Sequence, residues 1–299
     1  MFGLVFITGL VSFLMIGLIF VAVLVPDESL IITSPNNLHV FRLPTGARRI
    51  SNRQWRWNNE TVIGIFQIYT GSNSKETSFG YASTCCETFD AKLAEPLKNY
   101  EVETLNDGTF TASAVIKVFY DAVNTWESVI GNRIGSLVPI SNSAGLSYNL
   151  HNQIGLGTFD VNDAPNALAI TAVWITCPSG GSVNNCPVKL TIVEWDQTYD
   201  FDTYSWSLTG SPGSYDFPSI ATHELGHSVG LGDLLSESCI DSTMYGYSDV
   251  GETFRRSLDG ATKTCVKELY GIKSSSSSSS SPLVNISTVI ITFLYFVLF

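Results

Sequence analysis

The sequence predicts a mixed α/β domain, a twisted sheet with one long helix on its face and a second helix that carries the chemistry. Three observations lead there. Thr61 to Tyr69, Ala167 to Ile175 and Val188 to Trp195 are short apolar runs rich in β-branched residues, the composition of buried strands. Thr111 to Ile130 sets Ala112, Val115, Ile116, Phe119, Val123, Trp126 and Ile130 at the i, i+3, i+4, i+7 spacing of an amphipathic helix. Thr222 to Asp233 then carries two His four residues apart, which on a helix share one face. Strand, long helix, strands and short helix in this order fit helices packed on a mixed sheet.

Each part of the chain bounds the reading further. The 299 residues allow one or two domains, and a net charge of -11 with no block of Lys or Arg excludes nucleic acid as the expected partner. Met1 to Val25 contains no charged side chain and is long enough to cross a bilayer. It lacks a basic n-region, so a signal peptide and a retained signal anchor both remain open. Asp27 and Glu28 follow, and the first basic residue is Arg42, so the rest of the chain is expected on the far side of the membrane. Residues 26–48 read as a short spacer or pro-segment, and residues 49–273 as the folded domain. Within it, residues 71–108 form a polar insertion with no evident role.

Past the domain, eight consecutive Ser from Ser274 to Ser281 and then Pro282 make a flexible linker over residues 274–282. Leu283 to Phe299 is an apolar tail, read as a GPI-anchor signal or a short membrane helix. Asn59-Glu60-Thr61 is a glycosylation sequon for a eukaryotic host. Six Cys agree with an oxidising compartment. Cys177 and Cys186 flank a turn-rich loop and are expected to pair. Cys239 with Cys265 would clamp the C-terminal part, leaving Cys85 and Cys86 as a vicinal pair or with separate partners.

The Thr222 to Asp233 stretch reads T-H-E-L-G-H-S-V-G-L-G-D. His223 and His227 can grip one metal ion together, and Glu224 lies about 100° round the helix, able to reach a water on that metal without binding it. Gly230 suits the left-handed stop of the helix, after which Asp233 can turn back toward the His pair. Neither of the other two His, His39 and His151, has a partner that would make it a ligand. Asp160, Asp163, Asp196, Asp200 or Asp202 could contribute to a calcium site, although no spacing among them is diagnostic.

The pattern H-E-x-x-H-x-x-G-x-x-D, followed by Met244 in Asp241-Ser242-Thr243-Met244-Tyr245-Gly246-Tyr247, resembles the metzincin metallopeptidases. Asp216-Phe217-Pro218-Ser219-Ile220-Ala221-Thr222 upstream is similar to the entry into the active-site helix of the matrixin branch. Arg256-Ser257-Leu258-Asp259 and Glu268-Leu269-Tyr270-Gly271 are similar to its closing helix. The likeness is strong from about Thr171 to Gly271, weak from Arg49 to Ala169 and absent at both ends. Matrixins usually have His where Asp233 stands, and the propeptide Cys that silences many of them has no counterpart before Cys85.

The resemblance implies a zincin-like catalytic domain with a small C-terminal subdomain after Gly230. It implies one zinc ion on His223, His227 and Asp233, with Glu224 as general base and Met244 as an apolar floor. Tyr245 or Tyr247 would donate to the oxyanion or simply pack. The implied substrate is an extended peptide paired with an exposed strand edge, expected at Val188 to Trp195, and the residues from Met244 to about Arg255 would line the pocket for the side chain after the cut. Trp195 would narrow the cleft or belong to the core. A membrane-tethered extracellular endopeptidase is the expected function. A catalytically silent binding module and an amidase for non-protein amides are the alternatives.

Overall fold

In the computed structural model, the described residues are 47–272 except 51–53, 59, 72–84, 96–97, 105–108, 142–145 and 158–165, together with the backbone of two short strands nearer the N-terminus. Those two, β1 (Ala22–Val23) and β2 (Ile31–Ile32), pair antiparallel with each other. The remainder of the N-terminal apolar stretch, His39, the sequon's Asn59, the Ser run and the C-terminal tail lie outside the described residues. Among the described residues no helix is long and apolar enough to cross a membrane.

One mixed sheet organises the rest. Its strands are β3 (Arg48–Arg49), β4 (Gln54–Arg56), β5 (Thr61–Thr70), β6 (Ala91–Leu93), β7 (Tyr100–Glu103), β8 (Leu137–Ile140), β9 (Asn152–Leu156), β10 (Ala167–Thr176), β11 (Leu190–Tyr199) and, after a separate two-strand pair β12 (Trp206–Ser207) and β13 (Tyr215–Asp216), β14 (Tyr247–Ser248). The order is β3-β4-β5-β10-β11-β9-β7-β8, with β6 beside β11 and β14 beside β5. From β3 to β11 neighbours run antiparallel. From β11 through β9 and β7 to β8 they run parallel. A parallel step between neighbours needs a crossover, and α1 (Ala112–Ile130) supplies it between β7 and β8.

Helix α1 starts where Thr111 caps it, its side chain accepting from the Ala114 amide. Its buried stripe is Val115, Val118, Phe119, Ala122, Val123, Trp126 and Ile130. Ala112 is exposed and Ile116 only half-buried, so the stripe is turned slightly from the predicted one. Helix α2 (Phe217–Ser228) lies on the same face of the sheet, against α1 and β10. The opposite face is covered by a smaller cluster of Ile63, Ile65, Leu146, Ile170 and Trp174, with Trp55 and Trp57 against it. Strands buried on both faces read as near-continuous apolar runs, which is why β5 and β10 lack alternation.

The segment after Gly230, closed by α3 (Gly260–Tyr270), sends Leu231, Leu234, Met244, Leu258, Val266 and Leu269 into the same core as the sheet and α1. One expectation is corrected here. Cys239 and Cys265 do not bond to each other. Cys85 bonds to Cys239 and Cys86 to Cys265, while Cys177 bonds to Cys186 as expected. The adjacent Cys pair, just before β6, thus ties residues 85–86 to two separate C-terminal elements. These disulfides fit an extracellular or secreted protein.

Candidate metal centre

Helix α2 is buried almost all round, so its polar side chains need partners inside the protein. Asp216 caps its start by accepting from the Ser219 amide, and Arg256 donates to the same carboxylate. The Thr222 hydroxyl donates to the Pro218 carbonyl, and the Trp126 indole donates to the Thr222 carbonyl, joining α1 to α2. The helix ends because Gly230 adopts φ +106°, where any Cβ would also lie 2.3 Å from the Ala91 carbonyl oxygen.

His223 and His227 face the same side of α2, as their spacing requires. His223 Nδ1 lies 2.8 Å from the Thr243 carbonyl and His227 Nδ1 lies 2.8 Å from the Leu231 carbonyl. A carbonyl only accepts, so each Nδ1 carries the proton and each Nε2 of a neutral ring points its lone pair inward. The two Nε2 atoms are 3.2 Å apart. Asp233 Oδ1 lies 3.1 Å from the first and 3.3 Å from the second. Three acceptor atoms therefore meet at one point, an arrangement that repels itself unless a cation sits among them. Their separations match the edge of about 3.3 Å in a tetrahedron with bonds of ~2.0–2.1 Å, the lengths found for zinc with N and O donors. His223, Glu224 and His227 also form a buried group whose ligand atoms lie within 4.8 Å of one another and could hold a metal ion.

Asp233 reaches this point through paired backbone. The Leu234 amide donates to the Met244 carbonyl and the Gly246 amide to the Leu234 carbonyl, which fastens the segment after α2 to the turn containing Met244. On its other side Gly232 donates to the Glu87 carbonyl. The stretch 71–108, whose role was not legible in the sequence, thus braces the Asp233 segment at Glu87 and then supplies β6 and β7 to the sheet, so it is not the irregular insertion that its polar composition suggested. Met244 lies beneath the helix, where a Cβ on Gly226 would meet its Sδ at 2.3 Å and the Trp126 ring at 2.8 Å.

Glu224 is fully buried. Its Oε2 accepts from the Thr171 hydroxyl of β10 at 2.5 Å, and its Oε1 is buried with no hydrogen-bond partner. Burial raises its pKa to about 7, partly opposed by the His227 charge, the Thr171 hydroxyl and the nearby Ile68 amide. Burial also pulls His223 down to about 4. For His227 burial acts downward as well, but the Asp233 and Glu224 carboxylates outweigh it and hold the ring above its ordinary value.

The other expected residues divide. Tyr245 and Tyr247 are buried and pack edge-on to each other at 5.6 Å, with Tyr247 also against Tyr69. Trp195 is fully buried beside Tyr100, 5.9 Å between ring centres, and belongs to the core rather than to a cleft. Arg255 is buried and pairs with Glu252, stiffening the segment after Met244. His151 is exposed and pairs with Glu101. Of the calcium candidates, Asp160 and Asp163 lie outside the described residues, Asp196 accepts amides from Ser147 and Gln153, and Asp200 accepts that of Thr203. The edge expected at Val188 to Trp195 is not free, because β11 is flanked by β10 on one side and by β6 and β9 on the other.

Sequence reasoning missed Thr171, Gly226 and Phe66. Phe66 stacks on His227 with ring centres 4.6 Å apart and on Phe89 at 5.0 Å. Gly226 was available in the motif itself, as a small residue between two His. Nothing local marks Thr171 or Phe66, whose roles come from sheet pairing. No protein-family model and no curated protein matches this sequence.

Proposed function

We propose that this chain is a zinc-dependent endopeptidase of the matrixin type, exported and held at the membrane by its apolar ends. The observation that carries the reading is the convergence of His223 Nε2, His227 Nε2 and Asp233 Oδ1 with separations of 3.1–3.3 Å, beside a buried carboxylate on the next helix position. When bound, a zinc ion would polarise the scissile carbonyl and lower the pKa of a water at the open fourth position.

The chain's own residues do the rest. His223, His227 and Asp233 hold the ion, and the Thr243 and Leu231 carbonyls fix the two rings in the tautomer that keeps Nε2 available. Glu224 takes a proton from the attacking water and passes it to the leaving amine, so that water and peptide become one carboxylate and one amine. Thr171 holds one oxygen of Glu224, leaving Oε1 for that proton. Met244 fills the space below the helix and Tyr245 and Tyr247 support the wall beside it. The substrate is an extended peptide.

The test is peptide hydrolysis by the chain made under oxidising conditions, with and without a zinc chelator and beside Glu224→Gln. Chelator-sensitive cleavage that the variant lacks supports the reading. A folded chain that takes up no zinc would sink it.

A further inference from the structure

An extended peptide joins a sheet through a free edge, and the edge nearest the candidate centre already has an occupant. Strand β10 carries Thr171 above Glu224, and β11 takes its other side. On the near side lies β5, antiparallel, in a register that runs from Thr61 opposite Thr176 to Tyr69 opposite Ala167. Beyond the centre β5 continues parallel to β14, where the Tyr69 amide donates to Gly246 and the Gly71 amide to Ser248. Its outer edge is met by β4 only as far as Gly64. Residues 65–68 are the span that crosses the centre.

That span touches the chemistry directly. The Phe66 ring lies flat on His227, and the Ile68 amide faces the Glu224 carboxylate. His223, Glu224 and His227 have no solvent exposure and Asp233 has 1 %. A metal ion fits among these groups, but a peptide has no room beside them while β5 is in place. Resting on the peptidase reading, we propose that β5 is the chain's own occupant of the peptide-binding edge, a substrate mimic that keeps the centre closed to peptides until it is displaced.

The proposal separates two kinds of side chain on β5. Ile63 and Ile65 point to the opposite face of the sheet, away from the centre, so polar substitutions there weaken the seat of the strand without altering the groups that do the chemistry. The full chain, loaded with zinc, is compared with Ile63→Ser and Ile65→Ser for metal content, circular dichroism and kcat/KM on a quenched fluorescent peptide library. We expect equal zinc, native spectra and kcat/KM raised by about tenfold or more, because the fraction of molecules with an open edge rises. A second measurement needs no variant. Binding of a short peptide hydroxamate to the wild-type zinc form should accelerate amide hydrogen exchange in residues 61–70.

Equal cleavage by wild type and both variants, with β5 amides still protected under the hydroxamate, would overturn the proposal while leaving the peptidase reading intact. Zinc uptake without hydrolysis by the wild type or either folded variant would overturn both, and β5 would then be ordinary sheet.

Discussion

Thr171 and Glu224 belong to different layers of the fold, one on a central strand and the other on the helix beneath it, yet the Thr171 hydroxyl donates to Glu224 Oε2. The bond decides which carboxylate oxygen is engaged and which is left for a water. Thr171→Val keeps the shape and removes the donor, and it should lower kcat by about tenfold, the worth of one buried hydrogen bond to a charged group. Zinc content should not change, and Thr171→Ser should restore most of the rate. Loss of zinc in the valine variant would show a structural role instead.

The second prediction concerns pH. A general base works only when ionised, and burial raises Glu224 to about 7. Activity should therefore rise with pH and level off at or below about 7, since a bound dication lowers the carboxyl further. Glu224→Gln should abolish this limb and cut kcat by roughly 10² or more while retaining zinc. A pH profile for the two proteins, with metal analysis, checks both statements.

Metal binding should also appear as stability. A ligand that binds only the folded state adds about 2.7 kcal/mol at a free concentration of 100 times Kd. Thermal melts with increasing zinc should shift upward in wild type and not in His223→Ala, His227→Ala or Asp233→Ala. An unchanged shift in Asp233→Ala would remove that residue from the ligand set.

Gly226 tests the floor of the site. A methyl group there would overlap Met244 Sδ at 2.3 Å and the Trp126 ring at 2.8 Å, both in a filled core. Gly226→Ala should cost about 1–3 kcal/mol through overpacking and weaken zinc binding by tilting α2. Chemical denaturation and zinc titration read the two effects. Pairing it with Met244→Ala should recover part of the stability.

Asp259 ties the Met244 turn to α3. Its carboxylate accepts from the amides of Thr243, Ala261 and Thr262 and from the Ser242 and Thr262 hydroxyls. Burial alone would raise its pKa, but the Thr262 and Thr243 hydrogen bonds outweigh it and hold the group below its ordinary value. A carboxyl lowered in the folded state stabilises fully above its unfolded pKa of ~3.9 and loses that contribution as pH falls through the lower folded value. Asp259→Ala should cost about 1–2 kcal/mol near neutral pH, with the difference from wild type closing in strong acid. Denaturation midpoints at pH 7 and pH 3 measure it.

The helix bearing His223 and His227 was legible because its constraints are local: two residues four apart, a Gly at the stop and a Met eleven residues past Asp233. The long helix was legible from one face of apolar positions. Strands β5 and β10 were found within a residue or so, but their pairing was not, because register between Thr61–Thr70 and Ala167–Thr176 is fixed by contacts about a hundred residues apart. The expected free edge failed for that reason, since composition does not say which strand lies outermost. The disulfides failed in the same way: proximity in sequence suggested Cys239 with Cys265, while the observed partners lie 154 and 179 residues back.

Those two long bridges also set an order of events during biosynthesis. Cys85 and Cys86 emerge early, but neither can find its partner until nearly the whole domain has been made. Closing the first loop alone removes chain entropy worth about 5 kcal/mol in the unfolded state. Cys85 can close only once Cys239 has been made, and Cys86 only once Cys265 has been made. Reducing the two bridges would untie residues 85 and 86 from Cys239 and Cys265, next to the Glu87 carbonyl that holds Gly232.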